Sequence, residues 1–145
     1  MRLKVNENIN LVFEVPGDDF TRAGEASGAV KNTLKKLGLS SVVIRKVAIA
    51  MYEGEINMVI HAGGGRVEVE VGPAAILMTL SDQGPGIPDI ELAMQEGYST
   101  APESARNMGF GAGMGLANMK KYTDAMEVIS QPGQGTTVRM RVDVV

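Results

Sequence analysis

The chain has 145 residues, 44% of them hydrophobic and 21% charged, with a formal net charge of −3 at pH 7, which suits one globular domain with an apolar core. It has no cysteine and His61 is its single histidine, which excludes disulfides, thiol nucleophiles and cysteine metal sites and leaves any Ser-His triad or histidine zinc site dependent on one imidazole. No Lys/Arg cluster interleaves with aromatics, the longest nearly apolar run, VGPAAILMTL, is about half the roughly 20 residues of a membrane helix, and MRLKVNENIN lacks an apolar signal core, so the expected protein is cytoplasmic, with neither nucleic acid nor membrane as a partner.

Residues 9–15, INLVFEV, alternate apolar with polar and read as a strand; PGDD breaks it and supplies an N-cap for a helix over 20–37, with Gly38 as its C-cap. Ser40 or Ser41 caps a second, longer helix that runs to residue 62 and stops at Gly63-Gly64-Gly65. RVEVEV and AAILMTLS form an antiparallel hairpin about the Gly72-Pro73 turn. From 82 to 115 the chain is rich in Gly, Pro and Ser, with IELAMQEG as a short helix, and so long an irregular segment in a compact domain is usually functional. Gly115-Leu116 leads into a helix to about residue 122, and AMEVISQ and TTVRMRVDV are two last strands joined by the PGQG turn. This order predicts an α/β (α+β) two-layer sandwich in a single domain, with helices on one face of a mixed, mostly antiparallel sheet. The methionines read as core filler, since flexible thioethers suit irregular gaps.

Within the second helix, MYEGEINMVIHA sets two acids and an amide in an apolar run. At about 100° per residue, Val43, Val47, Ala50, Gly54, Met58 and His61 share a face, and Ile49, Ile56 and Ile60 lie on the other side of Glu53 and Asn57. His61 therefore reads as a packed, hydrogen-bonded side chain. Glu55 falls elsewhere, near Tyr52 and Arg45, and reads as solvated. Glu53 and Asn57, at i and i+4, project as neighbours; they either hold a cation, a water or a substrate hydroxyl, or make structural hydrogen bonds to backbone at the helix end.

Two glycine loops follow. In SDQGPGIP, Asp82 stands where a strand gives way to a turn that Gly84 and Gly86 let bend closely against a ligand, and its carboxylate suits an exocyclic amine such as that of adenine. GFGAGMGL sets Gly109, Gly111, Gly113 and Gly115 just before a helix, where backbone N–H groups can cradle an anion. Neither a Walker A loop nor the dinucleotide fingerprint is present. Taken singly, each loop is more often a plain turn; the order of both loops after the helix pair is what points to a nucleotide.

That ordered set resembles the Bergerat-fold ATPases, which include sensor histidine kinases, gyrase-type topoisomerases, Hsp90 and MutL. Glu53-x-x-x-Asn57 is similar to the family's N box, Asp82-x-Gly84-x-Gly86 to its first glycine box, Gly109-x-Gly111-x-Gly113-x-Gly115 to its second, and GQGTTV to its last turn and strand. The resemblance implies ATP and Mg²⁺ as cofactors. It assigns Asn57 to the metal, Asp82 to the adenine amino group, the glycines to the pocket and its lid over 89–108, and Thr136 to holding the adenine. Among these proteins the short chain most resembles bacterial anti-sigma factor serine/threonine kinases, which implies Glu53 as the catalytic general base on a serine or threonine of a protein partner, an anti-anti-sigma-like substrate, sigma factor or other regulator, and a possible homodimer. Arg22, in FTRAGEAS, either serves such a surface or is simply solvated. Two other readings stay open: a nucleotide-gated binding module without catalysis, and an ATPase subunit.

Overall fold

The computed structural model describes residues 8–17, 20–84 and 115–144; the expected IELAMQEG helix, the 89–108 lid, Gly86, Gly109, Gly111 and Gly113 lie outside them. Five strands, β1 (Ile9–Pro16), β2 (Gly64–Val71), β3 (Ala75–Ser81), β4 (Ala125–Gln131) and β5 (Gly135–Asp143), form one sheet in the order β1-β2-β3-β5-β4. All the pairings between them are antiparallel, the limit of the mostly antiparallel sheet that the sequence predicts.

The register explains why one face is covered. Leu11, Val69, Met78, Met140 and Met126 stand opposite one another across all five strands, and Phe13, Val67, Leu80, Val138 and Val128 form a second such row. Both rows are drawn into the core, as period-two alternation requires of a half-buried sheet. The intervening row, Val12, Glu68, Thr79, Arg139 and Glu127, faces away. Met51, Met58, Met78, Met119 and Met140 are all buried, so the thioethers fill the core as expected.

Helices α1 (Glu25–Lys36), α2 (Ser41–His61) and α3 (Gly115–Lys121) supply the other layer. The Ser40 side chain caps α2 by accepting from the Val43 N–H at 3.2 Å. Gly38, at φ 78°, ends α1 with paired bonds, Gly38 N–H to Lys35 O at 3.1 Å and Leu39 N–H to Leu34 O at 3.2 Å, the Schellman arrangement in which a left-handed glycine satisfies the last carbonyls. The start of α1 differs from expectation. A 3-10 turn at Phe20–Arg22 precedes Gly24, at φ 100°, and the α-helix begins only at Glu25.

Gly24 carries no side chain to cap that helix, and the cap comes from α2. The Glu55 carboxylate accepts from the N–H groups of Gly24 at 2.9 Å, Ala26 at 3.1 Å and Ser27 at 3.0 Å. Glu55 is only 2% exposed, which corrects the solvated reading of that residue. The free N–H groups of a helix start demand acceptors, and α1 packs with its start against the turn of α2 that carries Glu55.

Candidate functional site

Two groups of polar residues gather along the second half of α2. In the first, Glu53 and Asn57 are half-buried neighbours on one side of the helix, and α3 lies across them. Asn118 donates through Nδ2 to Glu53 Oε1 at 3.3 Å. Gly115 packs on the Asn57 carboxamide so closely that an added Cβ would stand 2.7 Å from Nδ2 and 3.1 Å from Oδ1. Gly54, between the two acids, lets the helix settle onto the sheet: a Cβ there would meet Leu80 Cδ2 at 2.3 Å and Met119 Sδ at 3.3 Å.

The second group forms where β3 ends beside the start of β5. Asp82 Oδ1 accepts from the N–H groups of Gly84 at 2.9 Å and Thr136 at 3.1 Å, and the Asp82 N–H donates to Thr136 O at 2.9 Å. Both bonds fall on one oxygen, so among the described residues Oδ2 has no donor of its own. Thr136 is buried, with its hydroxyl 2.9 Å from Ser130 Oγ, which also donates to Gly135 O at 3.2 Å. Close backbone approach fixes this corner. Gly135 holds φ 93°, and a Cβ on it would lie 2.1 Å from Asp82 O. A Cβ on Gly84 would lie 2.6 Å from Ala62 Cα, at the end of α2, and one on Gly65 would lie 2.4 Å from Ser81 O and 3.2 Å from Asp82 Cβ.

Of the residues singled out in the sequence, Glu53, Asn57 and Gly115 thus meet in one group, and Asp82, Gly84 and Thr136 in the other. Gly86, Gly109, Gly111 and Gly113 lie outside the described residues. Sequence reasoning missed Asn118, Ser130 and the packing of Gly54, Gly65 and Gly135. Gly65 and Gly135 were visible only as turn glycines, and an asparagine inside a short helix gives no signal by itself.

The surroundings are mildly tuned. Burial holds the His61 imidazole below its usual 6.5, so it is neutral at pH 7. Burial, with the charges of Glu53 and Glu55, raises the Tyr52 phenol. Among the described residues no group of three or more His, Asp and Glu side chains is placed to hold a metal ion, and no helix is long and apolar enough to cross a membrane. The donor set fits a nucleotide with a magnesium ion: a carboxylate with one oxygen uncommitted among the described residues, backbone stripped of Cβ atoms around it, and a carboxamide that can ligate an ion.

Residues 43–145 match the family model described as histidine kinase-, DNA gyrase B- and HSP90-like ATPase. The chain is 32% identical over 113 residues, 75% of its length and 79% of the relative's, to the serine/threonine-protein kinase RsbT of Bacillus subtilis. With an anti-sigma F factor of Pasteuria penetrans it shares 41% identity over 95 residues, 61% of this chain and 60% of that one. Among solved structures, the RsbU and RsbW domains of Rv1364c from Mycobacterium tuberculosis superpose with a TM-score of 0.63 at 15% identity, covering 92% of this chain and 31% of that one, a likeness of fold.

Proposed function

The chain belongs to the histidine kinase-, DNA gyrase B- and HSP90-like ATPase family, and from that premise we propose that it is a cytoplasmic, ATP-dependent serine/threonine kinase that controls a regulatory protein partner by phosphorylation. Asp82 Oδ2 accepts from the adenine amino group while Gly84 and Thr136 hold the other oxygen in place. Thr136 and the glycine-lined corner would sit beside the base, and the first glycine box, Gly84 and Gly86, would serve the same end. Gly109, Gly111, Gly113 and Gly115 shape the phosphate end of the pocket. Asn57 would hold the magnesium ion through its carboxamide oxygen.

Bound ATP supplies the γ-phosphoryl group, and its magnesium ion neutralises charge on the phosphates. Glu53 does the proton work. Its carboxylate accepts the proton of the partner's serine or threonine hydroxyl as that oxygen bonds to the γ-phosphorus. The bond from phosphorus to the bridging oxygen breaks, and ADP leaves with the electron pair.

The observation that carries this reading is the placement of Glu53: half-buried, one helical turn from Asn57, with Oε1 fixed by Asn118. RsbT is named a serine/threonine kinase and the second relative an anti-sigma factor, which supports a protein as the acceptor. The test is incubation of the protein with [γ-³²P]ATP, Mg²⁺ and extract of its source cells, beside calorimetric titration with ATP. Label is expected on serine or threonine of a discrete protein, lowered about 10²–10⁴-fold in Glu53→Ala, the range of a lost general base, with ATP binding retained. ATP binding should disappear in Asp82→Ala and become insensitive to magnesium in Asn57→Ala. Undiminished label in Glu53→Ala defeats the assignment of the base. ATP binding without any labelled acceptor defeats the kinase reading in favour of nucleotide-gated capture.

A further inference from the structure

α3 follows directly on the second glycine loop and touches both residues of the Glu53/Asn57 pair. Gly115 rests on the Asn57 carboxamide, and Asn118, three residues on and so on the same face of α3, donates to Glu53. A carboxylate on a long, half-buried side chain has several rotamers, and a general base must reach its proton within about 2.6–3.2 Å. The bond from Asn118 is the only described hydrogen bond to the Glu53 carboxylate, and it falls on Oε1, leaving Oε2 without a donor among the described residues. An amide N–H can only donate, so this contact favours the carboxylate as acceptor and selects which of its two oxygens is turned outward.

We propose that Asn118 is a positioning residue for Glu53: its carboxamide holds Oε1 so that Oε2 is presented to the acceptor hydroxyl, and α3 thereby sets the base from the end of the second glycine loop. This rests on the kinase reading above. It adds no bond-making step; the proton still passes to Glu53 as the phosphoryl group moves. Because Gly115 and Asn118 both belong to α3, a shift of α3 against α2 would withdraw the Asn118 donor and the Gly115 contact together. Readiness of the base is therefore tied to the position of α3.

The experiment uses the full chain and has two arms. In ¹H–¹⁵N spectra of the protein alone, the side-chain amide pair of Asn118 is assigned by its loss in Asn118→Leu, and it should move in Glu53→Gln; an unmoved pair overturns the contact. In the second arm, [γ-³²P]ATP and the acceptor protein labelled as described above give kcat and KM. Asn118→Leu should lower kcat about 10- to 100-fold, in keeping with the cost of misplacing a catalytic group by an ångström, with KM and Kd for ATP within about twofold of wild type. Asn118→Gln, which keeps the donor one methylene further out, should recover part of that loss. Introduced into Glu53→Gln, Asn118→Leu should cost nothing further, because the residue acts through Glu53; an equal loss in both backgrounds overturns the proposal. Wild type that transfers nothing sinks the kinase reading, and the amide spectra alone then decide the contact. Wild type that transfers, with Asn118→Leu unimpaired, sinks this inference and leaves the kinase standing.

Discussion

Replacing Glu55 by alanine should be among the most damaging single changes in α2, although the residue reads as a surface acid in the sequence. The side chain is 2% exposed and satisfies three backbone donors, Gly24, Ala26 and Ser27, at 2.9, 3.1 and 3.0 Å. A buried donor left without an acceptor costs about 1–3 kcal/mol, which would bound the loss near 9 kcal/mol if all three stayed dry. Gly24 is only half-buried, so water entering the vacated space will satisfy at least that donor. A conventional N-cap removal, about 1–2 kcal/mol, sets the lower bound. We expect about 3–5 kcal/mol for Glu55→Ala. Glu55→Gln keeps one acceptor oxygen; placed as Oε2 it retains Gly24 and Ala26 and loses Ser27, for about 1–2 kcal/mol. Equilibrium urea unfolding measures both, with the midpoint moving at constant slope. Glu53→Ala, two residues away, is the control; its single bond to Asn118 and its half exposure predict a change of about 1 kcal/mol or less. A Glu55→Ala protein within about 0.5 kcal/mol of wild type would refute the capping argument.

Gly54→Ala should destabilise by about 1–2 kcal/mol in the same assay: overpacking against Leu80 Cδ2 at 2.3 Å and Met119 Sδ at 3.3 Å outweighs the gain of about 1 kcal/mol from replacing a helical glycine, and a more stable variant would contradict the packing. Gly135→Ala combines φ 93° with a Cβ 2.1 Å from a backbone carbonyl of Asp82, an obstacle that cannot swing aside. It should cost about 2–3 kcal/mol of stability and weaken ATP binding at least about tenfold by calorimetry; unchanged affinity would separate Asp82 from the nucleotide. For His61 the folded imidazole sits below its ordinary 6.5 because of burial, so the unfolded chain binds the proton more readily. Stability from this group is complete above pH 6.5 and declines as the pH falls from there toward the folded value, by no more than about 1.4 kcal/mol per pH unit. Urea midpoints at pH 7.5 and 5.5 should converge in His61→Gln, and an unaltered pH difference would remove the burial argument.

The C-cap of α1 and the N-cap of α2 were legible, because Gly38 and Ser40 carry their function in the absence of a side chain or in the side chain itself. The hairpin at Gly72-Pro73 and the two last strands were legible by alternation, since a half-buried sheet imposes period two on the sequence. Of the candidate site, the neighbouring placement of Glu53 and Asn57 on α2 and the position of Asp82 at the end of β3 were legible, because local spacing fixes both. The site was illegible where a contact joins elements far apart in sequence. Asn118 reaches Glu53 across 65 positions and Thr136 reaches Asp82 across 54, and no local pattern encodes either. The late start of α1 was missed for the same reason: its cap is an acid from α2, 28 to 31 positions away.

Glu55 was misread because periodicity assumes one buried face, and α2 has several. Val43, Ile44, Val47, Ala50, Met51, Gly54, Glu55, Ile56, Met58 and Val59 are all buried, and at 100° per residue they run most of the way round the helix. A helix apolar on nearly every side is enclosed by neighbours, and the sheet, α1 and α3 all contact this one. In such a helix a polar residue between apolar ones signals a partner in whichever direction it points. The stretch 53–57 shows the consequence: Glu53 turns to Asn118, Gly54 to Leu80 on the sheet, Glu55 to the start of α1 and Asn57 to Gly115. The proposed base and metal ligand are therefore held by the same turn that fastens all three neighbours together. Substitutions at Gly54 or Glu55 should consequently disturb phosphoryl transfer in proportion to the stability they remove, whereas Glu53→Gln should lower transfer about 10²–10⁴-fold in a fully folded protein.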